Sequence, residues 1–423
     1  MIINSNPVKG MRDLSPKEVE LRNYVISQIL KVYKKYGFNQ IETPCTENIE
    51  LLSSGDGGEN EKMLFKILKR GQKLKISNDQ SENDLVDLGL RYDLTVPLCR
   101  FFANKRSKLP KEFKVIQTGS VWRAERPQKG RYRQFTQCDI DVIGLNSILA
   151  EIELILATSE ALLEIGFSNF KVRINDRRIL EALAKQSGFE SADFTKVFII
   201  LDKIDKIGLD GVKQELEKSN FPNDCINSFM AIVTEATKSG ITVDSLKTML
   251  PNISQEVLDD LSRVIETVKL QADDKYKIVL DLSLVRGMGY YTGQIFEIEA
   301  DGFGSSIAGG GRYDRMIGKF LKGNEDIPAC GFSIGFERVI SILEDQNFKV
   351  PSTKNKTAIL YNRNDNYNLL CSSAQQLRTQ GNCVSLELKT KNLKKQLDNL
   401  KEHGFNSFAF FENQIELVVK ELN

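Results

Sequence analysis

The residues that could carry out chemistry in this 423-residue chain are arginines, carboxylates and phenols. The sequence has one histidine, His403, which excludes His-based zinc sites and nearly all Ser-His-Asp or Cys-His mechanisms. Its seven cysteines form no Cys-x-x-Cys pair, so we interpret them as small apolar residues in a reducing compartment. These residue types predict no metal site in the protein itself.

Basic residues are concentrated between Arg100 and Arg133. This stretch has eleven Lys or Arg residues against two acidic residues, whereas the whole chain has 58 against 57 and a net charge of +1. The near-neutral total excludes a global attraction for nucleic acid or acidic membranes, while the local concentration predicts an anionic partner. A solvated basic face is the alternative interpretation.

The second half of this stretch predicts a hairpin with one polar face. Two extended runs, 113–125 and 131–144, are joined by a turn that contains Pro and Gly, which favours an antiparallel pair. Side chains alternate in a strand, so one face of the second run collects polar residues and the other is apolar. The polar set is Arg131, Arg133, Phe135, Gln137, Asp139 and Asp141. Guanidiniums suit phosphate oxygens and carboxylates suit an ammonium group, although salt bridges between strands are the structural alternative.

Two later segments combine glycine with arginine. Residues 286–293 (RGMGYYTG) place Tyr290 and Tyr291 among three glycines that permit close backbone approach to a ligand. Residues 331–338 (GFSIGFER) bring Arg338 to the predicted first turn of a helix. Each segment alone could be a turn with an exposed arginine. Together with the hairpin they supply four arginines that could converge on one polyanion: Arg123, Arg131, Arg286 and Arg338.

The usual phosphate-binding loops are missing from the sequence. It contains neither a P-loop nor a complete G-x-G-x-x-G pattern. If a nucleotide binds, arginines and backbone on an antiparallel sheet must hold it. Asp93 and Thr95, ahead of Pro97, add another carboxylate and hydroxyl that could face such a ligand.

Three segments resemble the motifs of class II aminoacyl-tRNA synthetases. Residues 21–44, a predicted helix and a strand that ends at proline, are similar to motif 1. Residues 119–144, with ERPQKGRYRQF, are similar to motif 2, and residues 330–344 to motif 3. The segments RGMGYYTG and GMRDLSP (residues 10–16) resemble signatures of the histidyl-tRNA synthetase family. The resemblance covers nearly the whole chain.

The resemblance implies an α+β fold, in which helices flank the antiparallel sheet of class II synthetases. The implied domains are a first catalytic part (1–168), a mostly helical insertion (169–275), a second catalytic part (276–345), a linker (346–356) and a C-terminal α/β anticodon-binding-like domain (357–423).

The resemblance also implies a function. ATP would activate L-histidine to histidyl-adenylate and pyrophosphate, and the histidine would pass to the 3′ end of tRNA(His). Mg²⁺ is expected with ATP, and a homodimer is expected through motif 1. The N-terminus lacks a signal-peptide pattern and no apolar run approaches the ~18 residues of a membrane span, so we expect a cytoplasmic protein that does not enter the membrane.

Site residues are carried over from the family residue by residue. The implied catalytic residues are Arg286 and Arg123. The implied ATP-binding residues are Arg123, Glu125, Arg131 and Arg338. The implied histidine-binding residues are Asp93, Thr95, Gln137, Asp141, Arg286, Tyr290 and Tyr291, with Asp141 and Tyr291 on the imidazole.

The chain departs from the family pattern in three places. Met288-Gly289 stands where many members have Leu-Asp, Asp141 is one methylene shorter than the Glu of many members, and the C-terminal module lacks the usual last helix. Two other functions therefore stay open. One is a non-catalytic, synthetase-like regulatory subunit of ATP phosphoribosyltransferase in histidine biosynthesis, and the other is a class II ligase for another amino acid. Charging of tRNA would separate the enzyme from the regulator.

Overall fold

The computed structural model describes residues 3–53, 61–74, 77, 79, 81–128, 130–285, 289–304, 306–321, 325–351 and 355–422. The chain divides into two compact units, Met1–Phe348 and Lys349–Asn423. None of the helices that the structure describes combines the length and the apolar character that a membrane crossing requires.

The first unit opens with a helix fixed by its own sequence. Ser15 and Glu18 form a capping box, in which the Glu18 amide donates to the Ser15 hydroxyl (3.4 Å) and the Ser15 amide donates to the Glu18 carboxylate (2.7 Å). The elements up to residue 105 are α1 (Pro16–Lys35), β1 (Asn39–Gln40), β2 (Thr46–Asn48), α2 (Ile49–Ser53), β3 (Lys66–Leu68), α3 (Glu82–Leu85), β4 (Val86–Leu90) and α4 (Thr95–Lys105). Strands β2, β4 and β3 form a small antiparallel sheet.

The remaining elements of the first unit build a central sheet and a helical stretch. They are β5 (Phe113–Trp122), β6 (Gln134–Ile143), α5 (Leu149–Glu164), β7 (Phe170–Asp176), α6 (Arg177–Gln186), α7 (Phe194–Leu201), α8 (Ile204–Lys218), α9 (Asn223–Ser239), α10 (Val243–Met249), α11 (Gln255–Ala272), β8 (Lys277–Leu280), β9 (Gln294–Ala300), β10 (Ser306–Arg312), β11 (Ala329–Ile334) and α12 (Phe336–Asp345).

The central sheet has eight strands in the order β1-β5-β6-β11-β10-β9-β7-β8. The two outermost pairs are parallel and all inner pairs are antiparallel. One face of β6 carries the buried Cys138, Ile140 and Val142, and helices α5 and α12 pack near this strand. The predicted fold class, an antiparallel-rich sheet flanked by helices, is confirmed.

The two strands of the predicted hairpin are shorter than the extended runs, 113–125 and 131–144, that predicted them. Strand β5 ends at Trp122 and β6 begins at Gln134, so Arg131 and Arg133 lie outside the strand. The physical reason is competition for backbone hydrogen bonds. The amide of Ala124 donates to the Met63 carbonyl (2.8 Å), and the amide of Arg133 donates to the Gly10 carbonyl (2.8 Å).

Residues 169–275 are mostly helical, as predicted, but they begin with a strand of the central sheet. Strand β7 pairs with β9 and β8, and the helices start at Arg177. Within α8 the helix is kinked at Gly208, whose φ of 68° and ψ of 175° are not helical. The assignment of this stretch as an inserted domain stays a prediction.

The second unit is a small α/β sheet with a helix on each face. Its elements are β12 (Lys356–Tyr361), α13 (Tyr367–Thr379), β13 (Cys383–Leu388), α14 (Leu393–Glu402), β14 (Ser407–Phe410) and β15 (Val419–Glu421). The strand order is β13-β12-β14-β15, parallel except for the last pair. Alternate residues of β12 pack towards Leu400 of α14 and Leu370 of α13. Residues 357–423 thus form an α/β fold, as the sequence predicted.

A buried ion pair joins three elements of the first unit. Arg22 of α1 contacts Glu337 of α12 through two N–O pairs of 2.7 and 2.8 Å. Thr136 of β6 accepts a hydrogen bond from Arg22 (2.9 Å), and its amide donates to Glu337 (3.1 Å). Both charged side chains are about nine-tenths buried, so each depends on the other for compensation.

Replacing Arg22 by alanine is expected to lower the free energy of unfolding by about 3 kcal/mol, because the buried Glu337 loses its closest counter-ion and keeps only Arg12, at 3.5 Å. Urea denaturation followed by circular dichroism measures the change. The matched control is Lys31→Ala, which breaks the exposed pair with Glu164 (2.9 Å) and should have a much smaller effect. Equal losses in the two variants would contradict the structural importance of the buried pair.

Candidate active site

The polar face of β6 forms the floor of a cavity of about 290 Å³. Strands β10 and β11, the start of α12 and the Tyr290–Tyr291 pair form the walls. Ten of the eleven predicted site residues line this cavity: Asp93, Thr95, Arg123, Glu125, Arg131, Gln137, Asp141, Tyr290, Tyr291 and Arg338. The eleventh, Arg286, lies outside the described residues, as does its neighbour Met288. Three of the four arginines that were predicted to converge therefore line the same cavity.

The predicted alternation of cavity-facing side chains is observed within β6 but not for the residues that precede it. Phe135, Gln137, Asp139 and Asp141 line the cavity, as predicted. Arg133, predicted on the same face, instead donates to the backbone carbonyls of Glu125 (3.0 Å) and Lys9 (3.4 Å). The prediction is wrong for Arg133 because the strand geometry begins only at Gln134.

Three cationic side chains belong to the cavity lining. The Arg123 Nε donates to the Tyr92 carbonyl (3.0 Å), and its guanidinium lies 5.0 Å from the centre of the Phe135 ring. Arg131 is 3.4 Å from the Glu125 carboxylate. Arg338, in the first turn of α12, donates to the backbone carbonyl and the hydroxyl of Ser306. Backbone carbonyls thus orient the guanidinium groups of both Arg123 and Arg338.

Much of the basic run is neutralised inside the chain. Arg100 pairs with Glu47 (2.7 Å), Arg106 with Glu325 (2.9 Å) and Lys114 with Glu153 (2.7 Å). The local excess of charge therefore does not by itself demand an anionic partner. From the run, Arg123 and Arg131 are the described members that line the cavity.

The acidic and amide side chains of the cavity lining are incompletely paired. Asp93, Asp139 and Asp141 are each 3% exposed. The Val96 amide donates to Asp93 Oδ1 (3.0 Å), and Gln137 Nε2 donates to the Ser333 hydroxyl (3.1 Å). Three buried acceptor atoms nevertheless have no hydrogen-bond partner among the described residues: Asp93 Oδ2, Gln137 Oε1 and Asp139 Oδ1. Buried acceptors are normally paired, so this wall suits a ligand rich in N–H donors.

Burial changes the acidity of the three carboxyl groups. It raises the pKa of Asp93 to about 6, against the lowering effect of the Val96 amide and the Arg123 charge. It raises the pKa of Asp141 to about 7, against the lowering effect of the hydrogen bond from Tyr313. Burial and the neighbouring Asp141 charge raise the pKa of Asp139 well above its ordinary value.

Tyr313 is a cavity residue to which the sequence assigned no role. Its hydroxyl donates to Asp141 Oδ1 (2.6 Å), and its ring lies edge-on to Tyr290 with centroids 6.2 Å apart. The sequence contains one indication that Tyr313 could face a ligand, because the residue closely follows the glycine-rich run 309–311. The sequence could not place Tyr313 beside Asp141, since the two residues lie on different strand segments, 172 positions apart.

Glycine at position 331 is required by the position of Asp141. Gly331 and Asp141 are paired across β11 and β6, and a Cβ atom at 331 would overlap Asp141 Oδ1. Gly311 has the same function beside Tyr291, because a Cβ atom there would lie 2.9 Å from Tyr291 Cδ1. The glycine-rich strands thus leave room for the functional side chains of their neighbours.

The unliganded protein is expected to lose stability as pH rises from about 4 to about 7 through the titration of Asp93 and Asp141. Their ordinary pKa is 3.8, so in this range the folded state holds protons that the unfolded state has released. Asp141→Asn removes one of these titrations and should flatten the decline. Thermal melting at pH 5 and pH 7.5 measures it, with Asp301→Asn, at an exposed turn, as the control. Equal declines in both variants would contradict the assignment.

Comparisons with known proteins agree with this geometry. A family model for histidyl-tRNA synthetases matches residues 10–339. The chain is 41% identical to a histidine–tRNA ligase of Leifsonia xyli subsp. xyli (strain CTCB07), over 98% of this chain and 97% of that protein. It is 42% identical to a probable histidine–tRNA ligase of Tropheryma whipplei (strain Twist), over 96% and 95%.

Two solved structures have similar folds. The crystal structure of histidyl-tRNA synthetase from Nostoc sp. PCC 7120 gives a TM-score of 0.78 at 26% identity, over 99% of this chain and 97% of that one. An ATP phosphoribosyltransferase regulatory subunit/histidyl-tRNA synthetase from Bacillus halodurans C gives 0.77 at 21% identity, over 97% and 99%, which shows the fold alone. Because the family model matches most of the first unit and the curated relatives match nearly the whole length, the chain belongs to the histidyl-tRNA synthetase family.

Proposed function

We propose that the chain is a histidine–tRNA ligase and that the cavity on β6 is its active site. The enzyme activates L-histidine with ATP, releases pyrophosphate, and transfers the histidine to the 3′ end of tRNA(His). The observation that carries the proposal is the combination of groups in one cavity. Its lining includes three arginines together with three residues that each have a buried acceptor atom without a hydrogen-bond partner in the described structure.

In this proposal, ATP lies against the three arginines of the cavity lining. Arg123 contacts the α-phosphate, Arg131 the triphosphate or the adenine side, and Arg338 the γ-phosphate, while Glu125 lies near adenine. Mg²⁺ accompanies ATP and is held mainly by phosphate oxygens.

Histidine lies against the carboxylates of the cavity lining. Its α-ammonium group faces Asp93, Thr95 and Gln137, and its imidazole lies between Asp141 and the Tyr290–Tyr291 wall. The contact between Tyr313 and Asp141 supports this arrangement, because the phenol fixes the orientation of the carboxylate that binds the ring. An analogue without ring N–H groups leaves buried polar atoms unpaired, so phenylalanine is excluded without editing.

The chemistry follows from the placement of charge. The histidine carboxylate attacks the α-phosphorus of ATP in line, and negative charge develops on the phosphoryl oxygens. Preorganised guanidiniums stabilise that charge without any proton transfer, which suits a chain with one histidine. Arg286 keeps its proposed catalytic role against the α-phosphate and the histidine carboxylate. A hydroxyl at the tRNA 3′ end then attacks the adenylate carbonyl, and AMP leaves.

The alternative is a non-catalytic regulatory subunit of ATP phosphoribosyltransferase. A likeness in fold to the Bacillus halodurans protein, at 21% identity, is compatible with it. The complete set of described arginines and carboxylates in one cavity favours the enzyme, since a regulator does not need charge placed for phosphoryl chemistry.

A homodimer in the cytoplasm completes the proposal. All seven cysteines are free thiols, which is compatible with a reducing compartment. Sedimentation of the purified protein tests for the dimer.

Arg286→Ala and Arg123→Ala are each expected to lower histidine-dependent ATP–pyrophosphate exchange by about a hundredfold or more, because each removes a positive charge that is proposed to stabilise the transition state. The matched control is Arg106→Ala, in the same basic run but paired with Glu325 outside the cavity. Its exchange rate should match the wild type. Exchange near the wild-type rate in both cavity variants would contradict the proposed function.

Tyr313→Phe is expected to raise the KM for histidine about tenfold while the KM for ATP changes little, because Asp141 loses the donor that orients it. Histidine dependence of pyrophosphate exchange gives both constants. Tyr276→Phe, a buried phenol outside the cavity lining, is the control. A parallel rise in both KM values would show a general disturbance instead of a histidine subsite.

A further inference from the structure

We propose that Asp139 is a third carboxylate of the histidine subsite, where it accepts a hydrogen bond from the α-ammonium group, and that this ammonium displaces a proton which the empty subsite holds. The inference rests on the proposed function and deepens it. The resemblance to the family gives roles to Asp93, Gln137 and Asp141 and none to Asp139.

The position of Asp139 in the cavity lining leaves one of its buried oxygens without a hydrogen-bond partner among the described residues. The residue lies in the middle of β6 and is paired with Ser333 of β11 and Gln117 of β5. The Ser333 hydroxyl bonds to the carboxylate. The side chain of Gln117 bonds to other residues: its Nε2 donates to the Leu94 carbonyl (3.0 Å), and its Oε1 accepts from the Thr43 hydroxyl (3.4 Å). Asp139 Oδ1 is left without a partner in the described structure.

The unpaired acceptors match the donors of a primary ammonium group in number. Asp93 Oδ2, Gln137 Oε1 and Asp139 Oδ1 are three such acceptors, and all belong to residues that line the same cavity. A protonated amine has three N–H donors and no acceptor. One ammonium group could therefore satisfy all three atoms, which a neutral amide or hydroxyl ligand could not.

Charge balance in the empty subsite points to a retained proton. Asp93 and Asp141 are the acidic groups that act on Asp139, Arg123 is the cation that acts on it, and Ser333 is its hydrogen-bond donor. No ion pair of the described residues includes any of the three carboxylates. Burial together with two like charges disfavours three ionised carboxylates at once, so a proton stays in the empty cluster near neutral pH.

Binding then exchanges one cation for another. The carboxyl group of the empty subsite gives its proton to solvent, and the resulting carboxylate accepts a hydrogen bond from the histidine ammonium. No covalent bond other than the O–H bond is broken. Histidine affinity should therefore rise with pH across the range in which the empty cluster titrates, until the ammonium group itself loses its proton.

Isothermal titration of the full chain with L-histidine, in two pH 7 buffers of different ionisation enthalpy, counts the protons. We expect roughly one proton released per histidine in the wild type. Asp139→Asn should release markedly fewer and bind histidine about tenfold more weakly, because the amide keeps the shape and loses the charge. Asp301→Asn, at an exposed turn, is the control and should match the wild type.

A ligand without the ammonium group separates the two halves of the inference. Imidazolepropionic acid keeps the ring and the carboxylate and should bind without proton release. Zero proton release with L-histidine would overturn the inference, and so would an Asp139→Asn variant with unchanged affinity and proton count. The wild-type proton count decides the matter even if that variant fails to fold. Absence of histidine-dependent pyrophosphate exchange in the wild type would instead refute the proposed function.

Discussion

Buried carboxylates that form no ion pair among the described residues, on β6 and just before α4, are the constraint on which the rest of the site depends. A buried carboxylate normally has a cation or several hydrogen-bond donors, because loss of hydration costs several kcal/mol. Asp93 and Asp139 each keep an unpaired oxygen, and Asp141 has one phenolic donor. The protein therefore holds them ready for a ligand that brings the missing donors.

The arginines of this chain are held by partners of different kinds. Arginines that serve the structure are bound to carboxylates, as Arg100 is to Glu47. Within the cavity lining, the Tyr92 carbonyl orients Arg123, and the carbonyl and hydroxyl of Ser306 orient Arg338. The sequence alone does not distinguish these arginines from Arg100, because the partners of all three lie in distant segments.

Rigidity of the surrounding frame makes these arrangements possible. The Arg22–Glu337 pair joins α1, β6 and the first turn of α12, and Arg338 is the next residue along that turn. On the other side, Arg312 binds Glu151 of α5 through contacts of 2.6 and 2.8 Å, which anchors the strand end that presents Tyr313. Two buried ion pairs thus fix the two walls that face each other across the cavity.

The sequence by itself determined the residue types, the strand alternation from Phe135 to Asp141, the glycine-rich strands and the family, because these features depend on local spacing and on motif identity. Only the tertiary structure decided which of several chemically identical groups line the cavity and which are paired elsewhere. It placed Arg133 against backbone carbonyls, brought Tyr313 into contact with Asp141, and left an oxygen of Asp139 without a partner among the described residues. The physical reason is that burial and hydrogen-bond competition arise between segments distant in sequence, and spacing along one chain does not report them.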